Sequence, residues 1–147
     1  MSDDDAPMIT GYTTGVFDMF HAGHLNLLRR ARAECDRLIV GVTVDEIVRE
    51  RKHKSPIVPF AERVQIVEAI RYVDEVVAQR DMNKFGMWEK LRFDRIFVGD
   101  DWRGTPEWSE YERQFGGVGV DIVYFPYTQG TSSTKLTALL DDRLADG

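Results

Sequence analysis

Gly15-Val16-Phe17-Asp18-Met19-Phe20-His21-Ala22-Gly23-His24 joins a predicted strand to a predicted helix and places two imidazoles three residues apart. The preceding run, Met8–Thr13, is typical of a strand, and apolar residues then recur at helical spacing at Leu25, Leu28 and Ala31. The two histidines therefore share a face of the first helical turn. Unpaired amides and the positive end of the helix dipole favour a bound anion there. Since the residue between the imidazoles is a glycine, we expect the turn to admit a phosphate.

Two other interpretations of the histidine pair remain at this point. Histidines near a helix start often serve in packing or capping, because they are moderately buried residues in general. Zinc-binding helices usually carry histidines four residues apart, as in H-E-x-x-H. Cys35 is the only cysteine, and no third ligand lies at a telling distance. The spacing argues against zinc and leaves packing or phosphate binding.

Composition limits the class of protein. A chain of 147 residues fits one domain, and a single cysteine excludes an internal disulfide framework. The net charge of −6 argues against a broad nucleic-acid surface, although a local group of cations still attracts a small phosphate. We find neither a membrane-spanning apolar run nor a leader, and therefore expect a cytoplasmic protein with no membrane partner.

Strands and helices alternate along the chain. After the first strand, we predict strands at Arg37–Thr43, Val73–Ala78, Arg95–Val98 and Asp121–Phe125. Helices are predicted around Phe60–Ile70, Phe85–Leu91, Pro106–Phe115 and Ser132–Leu144. This pattern predicts one Rossmann-like α/β domain, an open parallel sheet of about five strands with helices on both faces. We place it at residues 8–140, between a disordered acidic tail at 1–7 and a helix end and tail at 141–147.

Three polar segments follow strands of this sheet. The histidines follow the first strand, Gly99–Trp102 follows the fourth, and Thr128–Thr134 follows the last. Because ligands bind at the carboxyl ends of parallel strands, we expect all three at one edge. Hydroxyl groups at a helix start serve equally well as N-caps or as phosphate ligands.

The same segments resemble the signature of the nucleotidyltransferase superfamily, in its cytidylyltransferase branch. The pattern G-x-F-D-x-F-H-x-G-H is followed in order by blocks similar to those of glycerol-3-phosphate cytidylyltransferases. These blocks are Arg51–Lys54, Arg71–Val76, Val98–Trp102 and Thr128–Lys135. The resemblance covers roughly residues 8–140.

The resemblance implies a role for particular residues. It assigns catalysis to His21, His24, Lys54 and Arg71. It assigns nucleotide binding to Val16, Phe17, Asp18, Gly23, Lys52, Asp101, Trp102, Tyr127, Thr128, Gly130, Thr131, Ser132, Ser133 and Thr134. Arg51, from the basic block, and Lys84 are the candidates for acceptor binding.

Each of these assignments has a structural alternative. The basic run Arg51–Lys54 is also typical of a solvated turn, and Arg71 is placed where a cation at a helix end is favourable without a ligand. Asp18 is expected to organise the histidine loop rather than to take part in chemistry, and Asp101 also suits a turn.

The chain departs from the family pattern in its last block. The family usually has an arginine at Tyr127 and a glutamate at Gln129, and tyrosine cannot replace the bidentate phosphate contact of an arginine. The changes at Thr131 and Ser133 are milder, and Val16 stands where the family often has a hydroxyl residue.

The resemblance implies transfer of CMP from CTP to a small phosphorylated alcohol, with glycerol 3-phosphate favoured and pyrophosphate released. Mg²⁺ is expected on the nucleotide phosphates with no metal site in the protein, and the resemblance implies a homodimer. Two alternatives stay open. One is adenylyl or cytidylyl transfer to another phosphate, such as a polyol phosphate, phosphoethanolamine or FMN. The other is a nucleotide-binding module without turnover.

Overall fold

The computed structural model describes residues 8–126, 136 and 138–141. Within them the strands are β1 (Thr10–Gly15), β2 (Arg37–Thr43), β3 (Glu75–Gln79), β4 (Arg95–Gly99) and β5 (Asp121–Phe125). The helices are α1 (Ala22–Ala33), α2 (Asp45–Lys52), α3 (Phe60–Glu68), α4 (Lys84–Leu91) and α5 (Pro106–Gly116), and a 3-10 turn covers Asp100–Trp102. Residues 136 and 138–141 are helical.

The five strands form one parallel sheet in the order β3-β2-β1-β4-β5. In its register, Tyr12 of β1 lies beside Ile39 of β2 and Ile96 of β4. The order reverses at β1, since the chain runs outward to β3 on one side and to β5 on the other. The predicted open parallel sheet with helices is confirmed.

Helices cover both faces because the strands are apolar on both. On one face, Leu28 of α1 and Val67 of α3 pack in a cluster with Val40 of β2. On the other, Trp108 and its neighbours in α5 pack with Tyr12, Ile39 and Ile96. Adjacent residues of β2 thus enter opposite clusters, as strand alternation requires.

Helix α2 was absent from the sequence prediction. Its eight residues, D-E-I-V-R-E-R-K, hold only two apolar side chains, and no side chain caps its first turn. Neither periodicity nor a capping residue therefore marks it. The consequence is that Arg51 and Lys52 belong to the last helical turn rather than to a free basic turn, and the helix ends at His53 in the left-handed conformation.

One other boundary differs from expectation, and a second lies outside the described residues. Helix α3 ends at Glu68, with Ala69 as its C-cap, so Arg71 lies beyond the helix and not at its end. The last predicted helix, from Ser132, is described only at 136 and 138–141, which are helical. Among the described residues, no helix has the length and apolar character needed to cross a bilayer.

Candidate active site

Two adjoining cavities open at the carboxyl end of β1, where the strand order reverses. The histidine cavity has a volume of about 610 Å³ and is lined by His21, His24 and Asp18, among others. The lysine cavity has a volume of about 270 Å³ and is lined by Lys84 and Trp108, among others. The two share the lining residues Thr14, Gly15, Val16, Val48 and Lys52. This is the position at which open α/β sheets bind ligands.

The two histidines cap helix α1 through each other. His21 is the N-cap residue, and its Nδ1 accepts a hydrogen bond from the Gly23 amide at 3.0 Å. His24 Nδ1 accepts one from the His21 amide at 3.2 Å, which completes a capping box. The rings stack with centroids 4.0 Å apart. Capping and lining of a cavity therefore occur together, and the two interpretations of the pair are not exclusive.

This capping corrects one expectation about the phosphate. The amides of His21 and Gly23 are already bound to imidazole nitrogens, so they are not the donors for an anion. Gly23 itself does not line either cavity. What the turn presents to the histidine cavity is the imidazole rings themselves.

The hydrogen bonds also set the protonation state of the rings. Since both Nδ1 atoms accept from amides, each neutral imidazole carries its proton on Nε2. Burial lowers the pKa of His21, and burial together with the neighbouring His21 lowers the pKa of His24 to about 4. His21 Nε2 is buried and has no hydrogen-bond partner among the described residues. At neutral pH the pair therefore supplies uncharged N–H donors.

Asp18 links two loops by hydrogen bonds. One is the histidine loop at 16–21, between β1 and α1, and the other is the proline-bounded loop at 55–59, before α3. The Asp18 carboxylate accepts hydrogen bonds from the amides of Ile57 at 2.9 Å and Val58 at 2.8 Å. Phe17 and Met19, on either side of it, have φ values of 55° and 49° in the left-handed region. Such strain persists only where the surroundings fix the backbone, and these two hydrogen bonds contribute to that.

Arg63, a residue that the sequence interpretation missed, binds the backbone of the same region. Its side chain is fully buried. The guanidinium donates to the carbonyl oxygens of Val16 (2.7 Å), Thr43 (2.8 Å) and Val58 (2.9 Å), and it pairs with Asp45 at 2.5 Å. One side chain thus ties together the histidine loop, the end of β2, the start of α2 and the proline-bounded loop. A charged residue inside the apolar stripe of α3, three positions after Phe60 and four before Val67, was the available signal.

The basic segment divides between the cavities. Lys52 lines both, Arg51 lines the lysine cavity, and Lys54 lines the histidine cavity. Lys54 Nζ lies 3.3 Å from a carboxylate oxygen of Asp141, and Asp141 lines the histidine cavity too. The last described helical residue thus lies at the histidine cavity.

The lysine cavity holds a buried ammonium group. Lys84 is 8% exposed, and its Nζ lies 5.6 Å from the ring centroid of Trp108 and 5.5 Å from that of Tyr111. Burial lowers the pKa of Lys84, against the opposite effect of Glu107. Arg51 Nη2 lies 3.9 Å from Glu107 Oε2 across the same cavity. The wall thus carries three cations and one carboxylate beside aromatic faces.

The structure brings together several of the predicted residues and separates others. Val16, Phe17 and Trp102 line the cavities, whereas Asp101 is exposed and lines neither. Arg71 precedes β3, at the opposite edge of the sheet, with its guanidinium over the Tyr72 ring at 5.2 Å. Its catalytic role stays a prediction. The predicted residues Tyr127, Thr128, Gly130, Thr131, Ser132, Ser133 and Thr134 lie outside the described residues.

Comparison with known proteins agrees with this geometry. The family described as cytidylyltransferase-like matches residues 12–139. Glycerol-3-phosphate cytidylyltransferase of Bacillus subtilis is 34% identical over 84% of this chain and 91% of that enzyme. FAD synthase of Pyrococcus horikoshii is also 34% identical, over 86% of each chain. A lipopolysaccharide core biosynthesis protein of Thermoplasma volcanium has the same fold, with a TM-score of 0.70 and 24% identity over 85% of this chain and 100% of its own. The chain belongs to the cytidylyltransferase-like family.

Proposed function

We propose that this protein transfers CMP from CTP to a small phosphorylated alcohol, with glycerol 3-phosphate as the leading acceptor. The products are a CDP-alcohol and pyrophosphate. The reaction needs a site for a triphosphate, a site for a second phosphate, and a path between the two. The observation that carries the proposal is the pair of adjoining cavities, which meet at Gly15, Val16 and Lys52.

The sizes and charges of the cavities support this assignment. The histidine cavity, about 610 Å³, lies within the range of about 300–1,000 Å³ typical of drug-sized ligands and can take a nucleotide. The lysine cavity, about 270 Å³, falls just below that range and suits a small acceptor. Arg51 and Lys84 would bind the phosphate of the acceptor, and Lys52 lies where the two ligands would meet.

The proposed step needs no general base. The acceptor phosphate is largely ionised at neutral pH, because its second pKa is about 6. One of its oxygens attacks the α-phosphorus of CTP in line. The new P–O bond forms as the bond to the bridging oxygen breaks, and pyrophosphate leaves with the electron pair. The imidazole N–H groups of His21 and His24 would donate to the oxygens on which charge grows, and the lysines would neutralise it.

Mg²⁺ enters this proposal as part of the substrate. Among the described residues, no group of three or more histidine, cysteine or carboxylate side chains could hold a metal ion. The two carboxylates that line the histidine cavity, Asp18 and Asp141, already bind the loop amides and the ammonium of Lys54. The imidazoles and lysines of the cavity suit phosphate oxygens. Mg²⁺ would therefore be carried by the phosphates and by water.

A second candidate is adenylyl transfer from ATP to FMN. The similarity to the FAD synthase of P. horikoshii, at the same identity as the B. subtilis cytidylyltransferase, favours it. Trp102, 42% exposed, lines the lysine cavity, where its indole would serve as a stacking surface. The small volume of that cavity favours the phosphorylated alcohol.

The test is a matrix of two nucleotides and several acceptors. Purified protein with Mg²⁺ receives CTP or ATP together with glycerol 3-phosphate, phosphoethanolamine or FMN. Pyrophosphate is followed continuously, and products are identified by mass spectrometry. We expect CDP-glycerol from CTP. A preference for ATP and FMN would select the second candidate. Calorimetric nucleotide binding without pyrophosphate release in any well would identify a binding module instead.

We also propose a homodimer. The resemblance implies it, and Ile66 of α3 leaves 41% of its surface exposed a few residues before Arg71. A second copy on this side would give Arg71 a contact in addition to the one with Tyr72. Sedimentation velocity at micromolar concentration should give a mass near twice 16.9 kDa. A single species with the mass of one chain, 16.9 kDa, would reject the dimer.

A further inference from the structure

The lysine cavity contains one group that a phosphate site does not need. Glu107 lies in the first turn of α5 and lines this cavity, with its side chain 32% exposed. Its Oε2 is 3.9 Å from Arg51 Nη2, which is an ion-pair contact but is too long for a hydrogen bond. Among the described residues, no donor makes a hydrogen bond to this carboxylate. The carboxylate therefore has acceptor capacity that the described part of the chain does not use.

Position in the helix alone does not explain this residue. An acidic side chain in a first turn interacts favourably with the helix dipole, but that interaction does not require the side chain to line a cavity. Here the carboxylate is two-thirds buried in a cavity whose other charged groups, Arg51, Lys52 and Lys84, are cations. A carboxylate at this place repels a phosphate, so it lowers affinity for the phosphate alone.

A ligand with two different ends resolves the conflict. The phosphate of the ligand would bind Arg51 and Lys84, while a hydroxyl group a few bonds away would donate to the carboxylate of Glu107. Hydroxyl groups of polyols are donors of this kind, and hydrogen bonds to a charged acceptor are the strong ones. An acceptor with an alkyl group or a second anion at that end would meet a carboxylate without a partner.

We propose that Glu107 determines acceptor specificity by accepting a hydrogen bond from a hydroxyl group of a small polyol phosphate, whose phosphate lies on Arg51 and Lys84. The inference rests on the proposed function, since it concerns the acceptor of that reaction. It adds a residue that the sequence motifs do not contain and a chemical requirement on the acceptor, namely a free hydroxyl group near the phosphate.

The test compares glycerol 3-phosphate with n-propyl phosphate, which has the same chain and charge but no hydroxyl group. Wild type should prefer glycerol 3-phosphate in kcat/KM. In Glu107→Met this preference should fall about tenfold to a hundredfold, the range for a hydrogen bond to a charged group. The value for n-propyl phosphate should hold or rise, because a repulsive charge is gone. Glu107→Gln keeps a carbonyl acceptor without the charge. Its preference for glycerol 3-phosphate should lie between those of wild type and Glu107→Met.

Glu110→Met on the same helix is the matched control. The carboxylate of Glu110 is on the surface and pairs with Arg113. Its substitution should leave kcat/KM unchanged for both acceptors. Thermal melting of each variant shows whether the fold is kept. If Glu107→Met changes kcat/KM equally for both acceptors, Glu107 only tunes the charge of the cavity and the specificity proposal is wrong.

Calorimetric binding separates this inference from the proposed reaction. Acceptor binding that depends on the hydroxyl group and is lost in Glu107→Met supports the assignment of Glu107 even if no pyrophosphate is released. Turnover without any discrimination between the two acceptors overturns the assignment and leaves the reaction intact. Absence of both hydroxyl-dependent binding and turnover would overturn both.

Discussion

The two cavities are built on opposite principles. In the histidine cavity, the polar groups of the loop are largely satisfied by the protein: the imidazoles cap α1, Asp18 binds two amides, and Arg63 lies beneath the loop. In the lysine cavity, the ammonium of Lys84 lies against aromatic rings and has no ion pair among the described residues. One site is held in shape by its own hydrogen bonds, and the other keeps charge for a ligand.

This difference between the cavities predicts which substitutions lower stability and which lower activity. Where the network is complete, a substitution removes hydrogen bonds that hold the fold, and stability should fall. Where a buried cation forms no direct ion pair with the described residues, its removal should weaken binding without weakening the fold. Substitution of Arg63 in the buried network should therefore lower stability, whereas substitution of Lys84 should lower activity and leave stability intact.

Arg63→Met should have the largest effect. It leaves three carbonyl oxygens and Asp45 without their buried partner, and loss of one member of such a network costs about 3–5 kcal/mol of unfolding free energy. Urea denaturation measures it. Arg49→Met, on exposed α2 surface, should cost less than about 1 kcal/mol. Equal losses in the two variants would show that the buried network does not hold the loop.

His21→Ala and His24→Ala should each lower kcat by about 10²- to 10³-fold, the usual effect of removing one donor to developing charge. KM for CTP should change less, because the interaction strengthens in the transition state. Steady-state kinetics with circular dichroism separates this from a loss of folding. His53→Asn, at the third histidine of the chain, keeps a residue that tolerates the left-handed conformation and should retain activity. A full-rate His24→Ala would remove the histidines from the proposed mechanism.

The lowered pKa of His24 makes stability depend on pH. Its pKa is about 4 in the folded protein and about 6.5 in the unfolded chain, so the unfolded state takes up the proton first as pH falls. Its contribution is complete above pH 6.5 and is lost between pH 6.5 and 4, by about 3 kcal/mol at most. Urea denaturation at several pH values gives the unfolding free energy as a function of pH. Between pH 6.5 and 4 this free energy should change less with pH in His24→Gln than in wild type. Identical slopes would mean that the ring is not held neutral.

The sequence predicted the fold better than the site, for physical reasons. Apolar runs such as Arg37–Thr43 and Asp121–Phe125 mark strands by composition, and both were placed at their observed bounds. Helix α2 is too short and too charged for such a signal. The histidine pair was found because a local motif carries it. Arg63 and Glu107 act through residues distant in sequence, and no local pattern encodes those contacts.

Lys84→Met should sharpen the contrast between the cavities, because its two effects have opposite signs. The thioether side chain keeps the packing against Trp108 and Tyr111 and removes a buried ammonium whose pKa is lowered by burial. The unfolding free energy should therefore hold or rise.

The effect of Lys84→Met on activity should be a loss confined to the acceptor. KM for glycerol 3-phosphate should rise about tenfold to a hundredfold, as expected for loss of a charge-assisted hydrogen bond, and KM for CTP should stay near wild type. Lys90→Met, on the exposed side of the same helix, should change neither constant. A variant that loses stability and CTP affinity together would show that Lys84 supports the fold rather than the acceptor, and the two cavities would no longer differ in the way their structures indicate.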